Sequence, residues 1–176
     1  MPGGRDIVTA VIDSPLGALT AGATDVGICL LAFPARSGDE VRSVERRLGS
    51  QARGGRHPHL DALRRELDAY FAGALTRFTV PLVPGGTPFQ QRVWARLLDI
   101  PYGWTWSYEQ LAQEVRSPGG QRAVGHANGS NPIAIVIPCH RVINKNGKLG
   151  GYGGELWRKQ ALLALEGGRQ ARLFPA

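Results

Sequence analysis

Cysteine is scarce in this chain of 176 residues: Cys29 and Cys139 are the only two. Two thiols so far apart in sequence make neither a disulfide framework nor a zinc cluster. Long apolar runs are missing as well, so no segment reads as a membrane helix. Met1 to Asp13 lacks the apolar core of a signal peptide, which gives the expectation of a cytoplasmic protein with no membrane partner. Low-complexity tracts are absent despite 24 glycines and 12 prolines, and a hydrophobic content of 43% excludes a disordered chain. Histidines His57, His59 and His126 have no ligand spacing with each other or with the cysteines, so no metal and no cofactor is expected.

Acidic residues are in short supply in one half only. Residues 1–85 carry 10 basic and 9 acidic side chains, whereas residues 86–176 carry 11 and 5. The net charge of +7 is therefore concentrated in the second half. Such an excess fits a polyanion partner for that half, or ordinary solubility charge in an arginine-rich chain.

What is present divides into two parts. Residues 7–33 alternate apolar stretches with turn signals (IVTAVID, SPLG, ALTAGA, GICLLAF), which predicts an antiparallel meander of short strands. Val41 to Leu48 reads as a short helix and residues 49–58 as a polar loop. Leu60, Leu63, Leu67, Tyr70 and Phe71 have the spacing of one buried helix face. VPLVPGG, with two prolines and two glycines, cannot be an element interior. The expected organisation is a support domain over 1–80, a linker over 81–86 and a second domain over 87–176.

The second part opens with Thr87-Pro88-Phe89-Gln90, an N-cap, a first-turn proline and a capping-box glutamine. Phe89, Val93, Trp94, Leu97 and Leu98 then form an apolar helix face. Ser107 and Gln110 make a second capping box for a helix through Val115, and Ser117-Pro118 opens a third running to about Asn128. Two short helices joined by a tight turn in a basic region outline a helix-turn-helix. The third helix, GGQRAVGHANG, is rich in residues that bury little area. Small side chains suit a helix that must press its backbone against another body, either a DNA groove or another helix. Arg122 is the one large side chain on its first turns, a phosphate contact, a probe of the base stack or a solvated arginine.

The run PIAIVIPCHRVI carries the candidate chemistry. Ile133 to Ile137 reads as a buried strand or extended segment that Pro138 stops. Cys139 follows, with His140 and Arg141 beside it. A thiol next to a histidine is a candidate nucleophile, since a base and nearby positive charge lower a thiol pKa that burial raises. The alternative is a structural core cysteine, as Cys29 reads within GICLLAF. Glu166 sits in the last turn of a terminal helix, Leu156 to Glu166, where a carboxylate opposes the helix dipole. It is either an acid that orients His140 or a tolerated surface glutamate. GGYGG at 150–154 predicts a loop able to wrap closely over a ligand.

Taken together, TPFQQRVWARLLDIPYGWTWSYEQLA (87–112), RAVGHANGSNP (122–132), IPCHRVI (137–143), GKLGGYGG (147–154) and RKQALLALEG (158–167) closely resemble the O6-alkylguanine-DNA alkyltransferase family. The resemblance covers nearly all of the second half and extends loosely to SPLGALTAG and YFAG in the first. It implies an α/β (α+β) protein: a ribonuclease H-like α/β domain with a small antiparallel sheet, then a mainly helical, winged helix-turn-helix-like domain carrying the reactive cysteine. It implies direct-reversal DNA repair in one irreversible turnover. The alkyl group, typically methyl, passes from O6 of guanine in double-stranded DNA, with O4 of thymine as a further substrate, to Cys139 after the nucleotide is flipped through the minor groove.

Residue roles follow from the same resemblance. Cys139 is implied as the acceptor, His140 as its base through a water, and Glu166 as the acid that orients His140. Asn131 would hold the turn before the reactive segment. Tyr108 would contact the 3′ phosphate, help rotate the nucleotide and protonate the leaving base. Arg122 would enter the duplex and fill the vacated space, with Ala123 and Gly125 against the minor groove. Backbone carbonyls of Cys139 and Val142, together with Tyr152, Gly153 and Ala134, would form the base pocket. Gly153 stands where some members have serine, and Ala134 where some have proline. A monomer is expected, with cooperative binding along DNA. A non-catalytic lesion-binding relative of the family is the alternative, against which Cys139 argues; a thymidylate synthase or a helix-turn-helix regulator fits the chain less well.

Overall fold

The alternating segments of the first half form the expected meander. In a computed structural model that describes residues 6–152, 155–167 and 172–173, β1 (Ile7–Ile12), β2 (Leu19–Ala23) and β3 (Ile28–Ala32) pair antiparallel in order. Every residue of β3 is buried, Cys29 among them. Cys29 packs with Ile7, Leu30, Ala32 and Val44 in the core of this half, and burial pushes its thiol up to about 11. It is a packing residue without nucleophilic character.

α1 (Pro34–Leu48) is longer than the sequence pattern indicates. Its first two turns lack apolar periodicity, but Pro34 supplies a first-turn residue whose fixed φ suits a helix start. The polar loop after it contains a short strand, β4 (Ala52–Gly54), which runs parallel to β1 at the sheet edge. α2 (Pro58–Phe71) buries Leu60, Leu63, Leu67 and Tyr70, each worth about 1.5–3 kcal/mol relative to exposure.

Residues 81–86, expected as a linker, begin as part of this sheet's surroundings. Ile28 donates its N–H to the Pro81 carbonyl and accepts from Val83 N–H, both at 2.8 Å. Gly27 makes this approach possible, because a Cβ there would lie 2.5 Å from the Pro81 oxygen.

The chain divides into two compact units. One holds residues 1–86 together with Pro132–Ala134; the other holds Thr87–Asn131 and residues from Ile135 onward. In the second unit α3 (Pro88–Leu97) and α4 (Tyr108–Glu114) both start at complete capping boxes, Thr87 with Gln90 and Ser107 with Gln110. α3 buries Val93, Trp94 and Leu97. The Trp94 indole N–H donates to the Ala127 carbonyl at 2.9 Å, tying α3 to α5 (Gln121–Gly129). β5 (Trp104–Ser107), β6 (Val142–Ile143) and β7 (Arg172–Leu173) make a small parallel sheet in the order β6-β5-β7. α6 (Leu156–Gly167) completes the unit. Among the described residues no helix is long and apolar enough to cross a membrane.

One expected element is different. Ile133 and Ile135–Ile137 are buried, but the run is not a strand. Ile133 makes a single parallel bridge with Leu31 of the first unit. Residues 134–136 then turn, with Ile135 at φ 72°. The left-handed φ at Ile135, uncommon for a β-branched residue, and the turn around it break the run, which does not continue as extended chain.

Candidate active site

Pro138 ends the turn after Ile137, and Cys139–Arg141 form a single 3-10 turn leading into β6. Cys139 is 6% exposed and His140 fully buried. Two asparagines fix the backbone here. Asn131 Nδ2 donates to the Ile137 carbonyl at 2.8 Å, and Asn128 Nδ2 donates to the Cys139 carbonyl at 3.3 Å. Asn131 was singled out by resemblance; Asn128, buried on α5, carried no sequence signal beyond its place in the helix.

The residue after the thiol is held by α6. His140 Nε2 lies 2.7 Å from Glu166 Oε1. A carboxylate on Nε2 places the ring proton there and leaves Nδ1 as the acceptor nitrogen. Nδ1 is buried and has no hydrogen-bond partner among the described residues. Glu166 also receives Arg141, whose Nε donates to Oε2 at 2.8 Å and Nη2 to Oε1 at 2.9 Å. Arg141 Nη1 donates to the Ile100 carbonyl at 2.7 Å. Burial pushes the Glu166 carboxyl up, but its close pairing with His140 and with Arg141 outweighs it. The net result holds it well below the usual carboxylate range. Glu166 is thus ionised and buried, not a surface residue.

Two tyrosines complete the surroundings of the thiol. Burial, and then the proximity of Cys139, push both the Tyr108 and Tyr152 hydroxyls above their ordinary pKa. The Tyr152 hydroxyl is buried without a hydrogen-bond partner among the described residues. The loop before it closes on Tyr108: a Cβ at Gly150, which has φ 69°, would lie 3.2 Å from the Tyr108 oxygen. Gly153, expected in the pocket, lies outside the described residues.

Lys159 was not legible as a site residue. It is fully buried on α6. Its Nζ donates to the carbonyls of Val142 at 2.6 Å, Leu149, and Gly151 at 3.3 Å. Burial draws it down to about 8, while Cys139 pulls in the opposite direction.

The remaining expected residues lie elsewhere. On α5, Arg122 and Ala123 are exposed and Gly125 half-buried, while Val124, Ala127 and Asn128 face inward. The small-residue helix therefore offers an exposed face carrying Arg122. Ala134 is half-buried and its N–H donates to the Leu31 carbonyl at 2.9 Å, which makes it a member of the first unit. Among the described residues no group of three or more His, Cys, Asp or Glu side chains is placed to hold a metal ion.

Comparison with known proteins gives the same outline. Residues 7–84 match the 6-O-methylguanine DNA methyltransferase ribonuclease-like domain, and residues 88–168 match its DNA-binding domain. A methylated-DNA–protein-cysteine methyltransferase of Mycobacterium tuberculosis is 62% identical over 104 residues, covering 59% of this chain and 63% of that relative. The match therefore spans less than two thirds of the relative's length. A Methanosarcina acetivorans protein of the same name is 55% identical over 103 residues, 58% of this chain and 66% of its own. The crystal structure of the Mycobacterium tuberculosis OGT in complex with DNA aligns over 94% of both chains, at 45% identity and a TM-score of 0.78.

Proposed function

The chain belongs to the 6-O-methylguanine DNA methyltransferase family, and from that membership and the geometry around Cys139 we propose that it repairs alkylated DNA by direct reversal. The observation that carries this reading is a buried thiol followed at once by an imidazole whose far nitrogen is locked to an ionised carboxylate. Such an arrangement makes thiolate on demand.

In this reading the substrate is O6-alkylguanine in double-stranded DNA, with O4-alkylthymine as a second target. Its reacting oxygen sits on a base edge inside the duplex, so the nucleotide must be flipped out. The exposed face of α5 enters the minor groove through Ala123 and Gly125, and Arg122 fills the space left by the base. Tyr108 contacts the 3′ phosphate. The carbonyls of Cys139 and Val142 accept from the guanine amine, and Tyr152 walls the pocket. Residues 87–176 thus do the chemistry, and residues 1–80 support them. The setting is cytoplasmic, and the protein acts as a monomer that binds cooperatively along DNA.

The transfer balances without a cofactor. His140 Nδ1 takes the Cys139 proton through a bridging water. The thiolate sulfur attacks the alkyl carbon, the S–C bond forms as the C–O6 bond breaks, and the electron pair stays on guanine. Tyr108 donates the proton that guanine needs and is restored by the one the thiol released. The thioether is stable, so each molecule reacts once.

The test is a duplex containing a single O6-methylguanine, incubated with the protein and read by intact mass. A stoichiometric gain of one methylene on the Cys139 peptide is expected, and Cys139→Ser is expected to bind DNA without the gain. Tight lesion binding with no gain by the unaltered protein would overturn transfer in favour of a lesion-binding role.

A further inference from the structure

Glu166 presents an electrostatic problem that its partnership with His140 does not solve. The carboxylate is buried, with its side chain 1% exposed, and it lies in the last turn of α6 against the helix dipole. With His140 as its one partner, such a carboxylate would stabilise the imidazolium, because an opposite charge within hydrogen-bond distance favours the charged form. An imidazolium carries protons on both nitrogens and takes none from a thiol.

The structure supplies a second cation. Arg141 forks onto both carboxylate oxygens, at 2.8 and 2.9 Å, and anchors its remaining nitrogen on the Ile100 carbonyl. The Tyr102 ring lies 5.8 Å from the guanidinium carbon. A guanidinium does not release its proton, and its planar fork matches a carboxylate. The charge of Glu166 is therefore answered by Arg141 at every working pH.

We infer that Arg141 is a positioning residue for alkyl transfer: by taking up the Glu166 charge, it leaves His140 neutral, with Nε2–H on the carboxylate and Nδ1 as the nitrogen that accepts. This rests on the reading of Cys139 as the alkyl acceptor. The other charged or titratable groups on elements packed against the turn are consistent with it. α6 contributes the cations Arg158 and Lys159 besides Glu166; the Tyr108 and Tyr152 hydroxyls lie near the thiol and stay neutral at working pH; Tyr102 precedes β5; and Arg92 and Arg96 of α3 are exposed. Within the turn the neighbours are Cys139 and Arg141. Among these, Glu166 is the one acid, so removing Arg141 leaves its charge to the imidazole.

The experiment measures the methyl-transfer rate constant as a function of pH for the unaltered protein, Arg141→Met, Arg141→Lys and Arg141→Met combined with Glu166→Gln. For Arg141→Met the acidic limb should move up by about one pH unit or more, with the rate about tenfold lower at neutral pH and recovering in alkali. Arg141→Lys keeps the charge and should keep the limb; the double variant should restore it. Uniform slowing of Arg141→Met at every pH, with an unmoved limb, would reduce Arg141 to a structural role and overturn the inference. Imidazole nitrogen shifts of His140 in the unaltered protein give a reading that does not depend on a variant folding. The neutral Nε2–H tautomer at neutral pH is expected, and imidazolium overturns the proposal. Absence of any transfer by the unaltered protein would instead refute the role of Cys139, and the nitrogen shifts remain readable in that case.

Discussion

Lys159 Nζ, fully buried, donates to the carbonyl of Val142 at 2.6 Å and reaches Leu149 and Gly151 from the same position. One ammonium thus ties β6 to the loop that closes on Tyr108. Lys159→Met removes the donor from the buried Val142 carbonyl and from the two loop carbonyls, which should destabilise the fold by about 2 kcal/mol in urea titrations. Linkage adds a sign. Burial lowers the folded pKa to about 8, below the unfolded value of about 10.4. Between these values the unfolded chain holds the proton that the folded one has lost, so the Lys159 contribution to stability rises with pH across that window. Comparison of the two proteins near its two ends checks this.

Glu166→Gln replaces an acceptor-only group by one that also donates. Arg141 then faces a neutral partner while still buried and charged, at a cost of about 3–5 kcal/mol. Thermal unfolding should show the loss. In the unaltered protein the depressed Glu166 pKa contributes stability at pH above about 4.3, the unfolded value. That contribution disappears as pH falls below it, towards the folded pKa, and an acid titration of Glu166→Gln should lack it.

Asn131→Ala and Asn128→Ala each remove a clasp on the segment that presents Cys139. Each should cost about 0.5–1.5 kcal/mol, the net worth of one hydrogen bond, since each carbonyl keeps a backbone donor, Cys139 N–H on Ile137 and Val142 N–H on Cys139. Because both act on one short stretch of backbone, their effects should be non-additive in a double-mutant cycle read by denaturation.

Arg122→Ala alters an exposed side chain and should leave stability within about 0.5 kcal/mol. Repair of duplex DNA should slow much more than reaction with a free alkylated base. Equal slowing of both, measured side by side, would exclude a role for Arg122 in the duplex.

The sequence made the local signals readable. Both capping boxes, the β1–β3 meander and the inward face of α2 form where propensity and periodicity place them. Cys139, His140 and Glu166 were visible as a thiol, its neighbour and an acid set against a dipole. Lys159 was not, because its partners Val142, Leu149 and Gly151 are backbone carbonyls brought near by folding, and Arg141, visible as a charge beside the thiol, gave no sign of its fork onto Glu166 or its bond to the Ile100 carbonyl. Carbonyls have no residue type to recognise. β4, β6 and β7, with two or three residues each, are too short to carry a period. The Ile133–Ile137 run failed for another reason: hydrophobicity reports burial, and burial does not set φ at Ile135.

The assignment of Pro132–Ala134 to the first unit has a topological consequence. The polypeptide passes between the units at three places, after Gly86, after Asn131 and after Ala134. Leu31 N–H donates to the Pro132 carbonyl, and the Ala134 N–H donates back to Leu31, both at 2.9 Å. A protease nick at Gly86 would therefore not release two independent fragments. The piece that begins at Thr87 would still carry three residues stitched into the sheet of the other, and the nicked halves should co-elute until denaturant is added.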